Sequence, residues 1–104
     1  MSDIKDQKIA SIRKHIDRVD AILLHALAER LALIPNLAKY KYRNNLPITD
    51  EPREIEMINR YREIAKKHEL DPDFIEDFFL SIINESKRIH QKLRDEIKEG
   101  KITA

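Results

Sequence analysis

IRKHIDRVDAILLHALAERLALI, residues 12–34, places apolar side chains at Ile12, Ile16, Val19, Leu23, Leu27, Leu31 and Ile34. The intervals are three or four residues throughout, which is the period of one face of an α-helix. The pattern extends in both directions and predicts a first helix over roughly 6–43. A helix of about 38 residues is nearly 60 Å long, whereas a compact domain of this size has a radius of gyration of about 13 Å. Such a helix overhangs any core that one chain can build. Its apolar stripe then stays in water unless a second chain covers it, so the geometry predicts an intertwined homodimer. Pro35 opposes this reading, because an interior proline removes a backbone hydrogen bond and clashes with the carbonyl four residues earlier. If it ends the helix, a four-helix monomer becomes the alternative.

Outside this stretch the chain is equally helical in character. Gly100 is its one glycine, and the composition is rich in Leu, Ile, Ala, Lys, Glu and Arg, residues that favour helix over strand. Pro47 sits in the polar break NNLPITD, while Pro52 and Pro72 each follow an acidic residue suited to capping a helix. Two further helices are expected at roughly 51–68 and 72–98. The second carries Met57, Ile58, Tyr61, Ile64 and Ala65 on its apolar face. The third carries Phe74, Phe78, Ile82, Ile89 and Leu93, with Phe79 and Ile83 widening that face and Gly100 placed to stop the helix. The expected fold is all-α, with three helices per chain in a single domain over residues 1–104 and no internal repeat.

Composition excludes several functions. Lys and Arg number 20 against 19 Asp and Glu, so no strong field attracts nucleic acid or an anionic membrane. The short run Lys39, Tyr40, Lys41, Tyr42, Arg43 interleaves basic and aromatic residues, but it is too brief to reverse that conclusion. There is no cysteine, hence no disulfide framework, thiolate nucleophile or cysteine-ligated zinc. His15, His25, His68 and His90 lack metal-ligand spacing, and no nucleophile elbow or phosphate-binding glycine loop is present. No metal and no cofactor are expected. The opening MSDIKDQKIA lacks the apolar core of a signal peptide and no run of 18 apolar residues occurs, so a soluble cytoplasmic protein is expected.

Polar residues on or beside interior faces carry the functional signal. At 100° per residue, Arg30 and Lys41 point within about 20° of each other, while Arg13 is turned away by roughly 80–100°. Arg30 and Lys41 can serve one site, and Arg13 another that belongs, in a paired dimer, to the partner chain. Ser86 and His90 extend the stripe begun by Phe79 and Ile83, and Glu54 stands in line with Ile58 and Tyr61. Buried polar groups are costly unless paired, and a ligand with two carboxylates, an ether oxygen and a hydroxyl would satisfy several together. Taken singly, each has an ordinary explanation: surface ion pairs for the arginines, a helix cap for Asp50, a structural histidine for His90.

Together, IRKHIDRVDAILLHALAER, KYK, LPITDEPRE and LDPDFIEDFFLSIINES resemble the successive signatures of the AroQ-class chorismate mutases, from about Ile12 to Gln91. The most specific are the R-x-x-I-D-x-x-D opening, Ala28-Glu29-Arg30, and D-x-x-R-E after the loop. The resemblance implies an all-helical homodimer, without cofactor, that rearranges chorismate to prephenate. It implies that Arg13 reaches into the partner's active site, and that Arg30 and Arg53 bind the substrate carboxylates. Lys41 would donate to the ether oxygen, Asp50 and Glu54 would lie near the ring hydroxyl, and Ser86 would assist at a carboxylate. Lys41, His90, Glu54 and Arg30 are thus the expected catalytic residues.

One position departs from the pattern. The family usually has glutamine or glutamate as the second donor to the ether oxygen, and His90 stands there. A neutral imidazole donates one N–H, an imidazolium donates more strongly, so activity is expected to rise as pH falls through the His90 titration. Three alternatives remain: isochorismate pyruvate lyase, a mutase of 4-amino-4-deoxychorismate, and a non-catalytic helical interaction module. The lyase branch typically lacks the acidic pair that Asp50 and Glu54 supply. An inactive module has no physical reason to keep charges along its inner faces.

Overall fold

In a computed structural model that describes residues 3–104, four helical segments account for the regular structure: α1 (Ile4–Ala32), α2 (Ile34–Arg43), α3 (Glu51–Lys67) and α4 (Pro72–Lys98). The first two residues of MSDIKDQKIA, and with them part of the expected domain 1–104, lie outside the described residues. The helices after the loop fall where sequence places them. The first begins two residues earlier than expected, because the Asp3 carboxylate accepts the Asp6 N–H at 2.8 Å and caps the helix.

The long first helix is present as α1 and α2, interrupted at one residue. Leu33 keeps right-handed helical angles (φ −80°, ψ −18°), but its N–H turns to the Arg30 carbonyl at 3.3 Å. The cause lies two residues on: Pro35 has no N–H to continue the ladder, and its ring crowds the Leu31 carbonyl. The interruption leaves Pro35 in the first turn of α2, where a backbone N–H has no intrahelical partner anyway. The proline therefore interrupts the helical run without ending it.

The chain divides into two units, residues 1–33 and 34–104. The first is α1, in which no residue is buried. Ile12, Ile16, Val19 and Leu23 of its stripe are each at least half exposed. The run Ile4–Arg43 contains a window long and apolar enough to cross a membrane by length and composition, a test that core helices also pass. Glu29 and Arg30 fall within that run.

In the second unit α4 packs against both α3 and α2. Met57 and Ile58 of α3 meet Ile83 of α4, with Tyr61 and Phe79 against them. The Tyr61 and Phe79 rings sit 4.5 Å apart, tilted by 42°, within the range aromatic pairs prefer. Ile34 and Ala38 of α2 and Ile97 of α4 are buried as well. The weight of the α4 faces differs from expectation. Phe79 and Ile83 belong to the core, whereas Phe74 and Phe78 are 62% and 44% exposed. A helix with two apolar faces gives no sequence signal as to which one its own chain covers.

Three helices end by one device. Leu46 N–H bonds the Lys41 carbonyl (2.8 Å), Leu70 N–H the Ala65 carbonyl (2.9 Å) and Lys101 N–H the Glu96 carbonyl (2.9 Å). Each 6→1 bond requires a left-handed residue just before it. Asn45 (φ 55°), Glu69 (φ 57°) and Gly100 (φ 76°) supply them. Asp50 then starts α3, its carboxylate accepting the Arg53 N–H at 3.2 Å, and Asp71 starts α4 by accepting from Asp73 N–H at 2.9 Å. The segment between α2 and α3 is thus bounded by an αL stop at Asn45 and an aspartate start at Asp50.

Candidate active site along the fourth helix

Helix periodicity brings Ser86, His90 and Arg94 onto one face of α4 at intervals of four. His90 is 3% exposed, the one polar or charged residue buried among those described. Burial disfavours its protonated form most strongly, and the positive charges of Arg94 and Lys41 add to this, so its pKa is lowered from the ordinary value. The imidazole is therefore neutral at neutral pH. Lys41, half-buried on α2, brings its ammonium near this ring from the neighbouring helix. One of its three N–H groups is directed to the Ile48 carbonyl at 3.1 Å, which leaves two for a ligand.

The segment between α2 and α3 is tied down twice. Lys41 holds Ile48, and the Arg94 Nη2 donates to the Leu46 carbonyl at 2.8 Å across 48 positions of sequence. These contacts fix the approach to Asp50 and Arg53 at the start of α3. Asp50 caps that helix with one carboxylate oxygen, as its sequence context suggests. Both Asp50 and Arg53 are exposed.

Glu54 is half-buried and pairs with Lys87 of α4 at 2.8 Å, joining α3 to α4 beside Ser86. The Ser86 hydroxyl donates to the Ile82 carbonyl one turn back, at 2.9 Å. A groove of about 610 Å³ lies near the end of α4, between Tyr42, Arg43, Leu46, Arg94 and Lys98. Arg94, whose charge acts on His90, is one of three cations that line it.

The second unit thus brings Lys41 to His90 and Glu54 to the Ser86 turn of α4, while Asp50 and Arg53 stand at the adjoining helix start. Arg13 and Arg30 lie on α1, Arg13 exposed and Arg30 half-buried. Sequence reasoning missed Lys87 and Arg94. The spacing His90 to Arg94 was a usable signal for the second, since residues four apart on a helix are neighbours. Lys87 offered none.

What the cluster can do chemically follows from its inventory. It offers an ammonium, a neutral imidazole, a paired carboxylate and a hydroxyl, with a guanidinium at the loop. These groups bind and polarise an anionic ligand through hydrogen bonds and charge.

Comparison with known proteins places this sequence in a family. The family model for type II chorismate mutases matches residues 12–91. The chain is 32% identical over 90 residues to a chorismate mutase of Methanocaldococcus jannaschii, covering 86% of this chain and 91% of that protein. It is 34% identical over 85 residues to a bifunctional chorismate mutase/prephenate dehydratase of Buchnera aphidicola subsp. Schizaphis graminum, covering 82% of this chain but 22% of the relative. It is 37% identical over 79 residues to the T-protein of Enterobacter agglomerans, covering 76% of this chain and 21% of the relative. The chain spans about a fifth of the length of these two relatives and most of the Methanocaldococcus jannaschii one. With a family match over most of its length and a relative of this similarity covered almost from end to end, the chain belongs to the type II chorismate mutase family.

Proposed function

We propose that the chain forms a single catalytic domain over residues 1–104 that rearranges chorismate to prephenate as an intertwined homodimer. Lys41 and His90 carry the reading: two groups able to donate hydrogen bonds come close to each other from different helices. A [3,3] rearrangement needs no nucleophile, obligatory proton transfer or cofactor. It needs the enolpyruvyl arm held over the ring, which lowers the entropic part of the barrier. It also gains from donors aimed at the ether oxygen, where negative charge develops as the C–O bond lengthens.

In this reading Lys41 uses its remaining N–H groups, and His90 its single N–H, at the ether oxygen. Arg30 and Arg53 bind carboxylates with Ser86 assisting, and Arg13 reaches across from the partner. Asp50 and Glu54 attend the ring hydroxyl, with Lys87 offsetting the Glu54 charge that would otherwise repel a dianion. The exposed apolar stripe of α1 supports pairing: a second copy covers it, rather than lipid. The nearly balanced charge supports a small-molecule ligand over nucleic acid, and a cytoplasmic setting suits a cysteine-free chain.

The deciding experiment mixes the purified protein with chorismate and follows its loss together with prephenate formation. Stoichiometric conversion is expected. A folded dimer that leaves chorismate unchanged overturns the reading.

A further inference from the structure

Two buried nitrogens on α4 have no hydrogen-bond partner among the described residues: Nε2 of His90 and Nε of Arg94. They belong to side chains four residues apart on one helix, hence neighbours with Cβ atoms about 5–6 Å apart. Their chemistry is unequal. An arginine Nε carries a proton at every accessible pH and can only donate, whereas an imidazole Nε2 donates in one tautomer and accepts in the other.

The guanidinium also lacks freedom to turn away. Its Nη2 is committed to the Leu46 carbonyl at 2.8 Å, and because the group is a rigid plane, fixing that corner fixes the direction of Nε–H. A protonated Nε2 on His90 would leave two donors buried side by side without acceptors, each unfavourable while unpaired. The two atoms are not hydrogen-bonded to each other here, but a lone pair on Nε2 faces the nearby Arg94 charge favourably and offers its N–H an acceptor, whereas a second N–H there opposes both. The groups whose charge acts on His90 are Arg94 from its own helix and Lys41 from α2, both cationic. Glu54 of α3 is engaged by Lys87.

We propose that Arg94 is a positioning residue: it holds His90 as the Nδ1–H tautomer, with Nε2 unprotonated, and so selects Nδ1–H as the donor presented to the ligand. The same side chain pins the loop at Leu46, so one residue sets both the proton of the imidazole and the position of the segment leading to α3. The ligand side of this inference rests on the proposed mutase function; the tautomer does not.

The test is ¹⁵N NMR of histidine-labelled, unliganded protein at neutral pH, with the His90 signals assigned by their loss in His90→Gln. Pyrrole-like Nδ1 and pyridine-like Nε2 are expected. Arg94→Met removes the donor and charge, and should admit the Nε2–H tautomer and raise the His90 pKa. Arg94→Lys keeps a charge without the planar fork, and should relax the tautomer while leaving the pKa low. With chorismate, Arg94→Met should lower kcat by about tenfold with a smaller change in KM. An Nε2–H tautomer in the unsubstituted protein, or an unchanged tautomer and pKa in folded Arg94→Met, overturns the proposal. If Arg94→Met does not fold, the tautomer of the unsubstituted protein decides. Because that reading is made without ligand, failure of chorismate turnover is distinguishable from failure of this assignment.

Discussion

Lys87 and Glu54 bridge α4 and α3 at 2.8 Å, with side chains 31% and 22% exposed. Pairs in this environment are less screened than surface pairs, and removing one partner strands the other. We predict that Lys87→Met destabilises the protein by about 1 kcal/mol. Combining it with Glu54→Gln should recover part of that loss. A urea double-mutant cycle measures the coupling, and additive effects would show the pair to be inert. The unpaired Glu54 should also raise KM for a dianionic substrate.

His90 gives the stability a definite pH dependence. Its folded pKa is lowered, by burial first and then by Arg94 and Lys41, so below its ordinary pKa of 6.5 the unfolded chain binds the proton more readily than the folded one. The stabilising contribution is complete above about 6.5 and is lost as pH falls toward the folded pKa. Denaturation midpoints should therefore rise with pH over that window, and His90→Gln should flatten the slope. Any acid activation through an imidazolium at this position should appear below 6.5, in the same window where stability declines. A pH–rate profile that is flat there would show that the reaction draws on the neutral imidazole and gains nothing from the imidazolium.

Glu69 occupies a left-handed conformation, φ 57°, at the end of α3, where a side chain with a Cβ is strained. Glu69→Gly should stabilise the fold by about 1 kcal/mol, less the extra flexibility given to the unfolded chain. Thermal melts compare the two directly. A lower Tm in the glycine variant would mean that the Glu69 side chain contributes more than its backbone costs.

Pairing of two chains in each active site has a mixing test. Arg13→Ala and Lys41→Ala should each be nearly inactive alone. Exchanged at equal concentrations, half the dimers are mixed and one of their two sites is intact, so about a quarter of the original activity should return. No recovery after verified subunit exchange would place both residues in a site within one chain.

The residues that sequence revealed were those breaking a pattern. His90 stood out because an imidazole interrupted an apolar stripe, and Asp50 because an aspartate two residues before a proline marks a helix start. Lys87 and Arg94 broke nothing: they are two of 20 basic residues on a charged chain, and only folding reveals that one meets Glu54 and the other Leu46. Pro35 was legible as a disturbance but not in its outcome. An interior proline is costed at about 3 kcal/mol, yet the interruption at Leu33 shifts it into a first turn where that cost largely disappears. The faces of α4 were ambiguous for a related reason. Periodicity detects apolar residues but not which neighbour covers them, so Phe74 and Phe78 read as core beside Phe79 and Ile83.

That no residue of α1 is buried bears on how this protein responds to its own abundance. If its first helix finds cover only in a second copy, as proposed above, folding becomes a bimolecular event governed by mass action. The melting temperature should climb with protein concentration, and specific activity should fall on dilution. A cell making too little of this chain would lose activity faster than it lost protein.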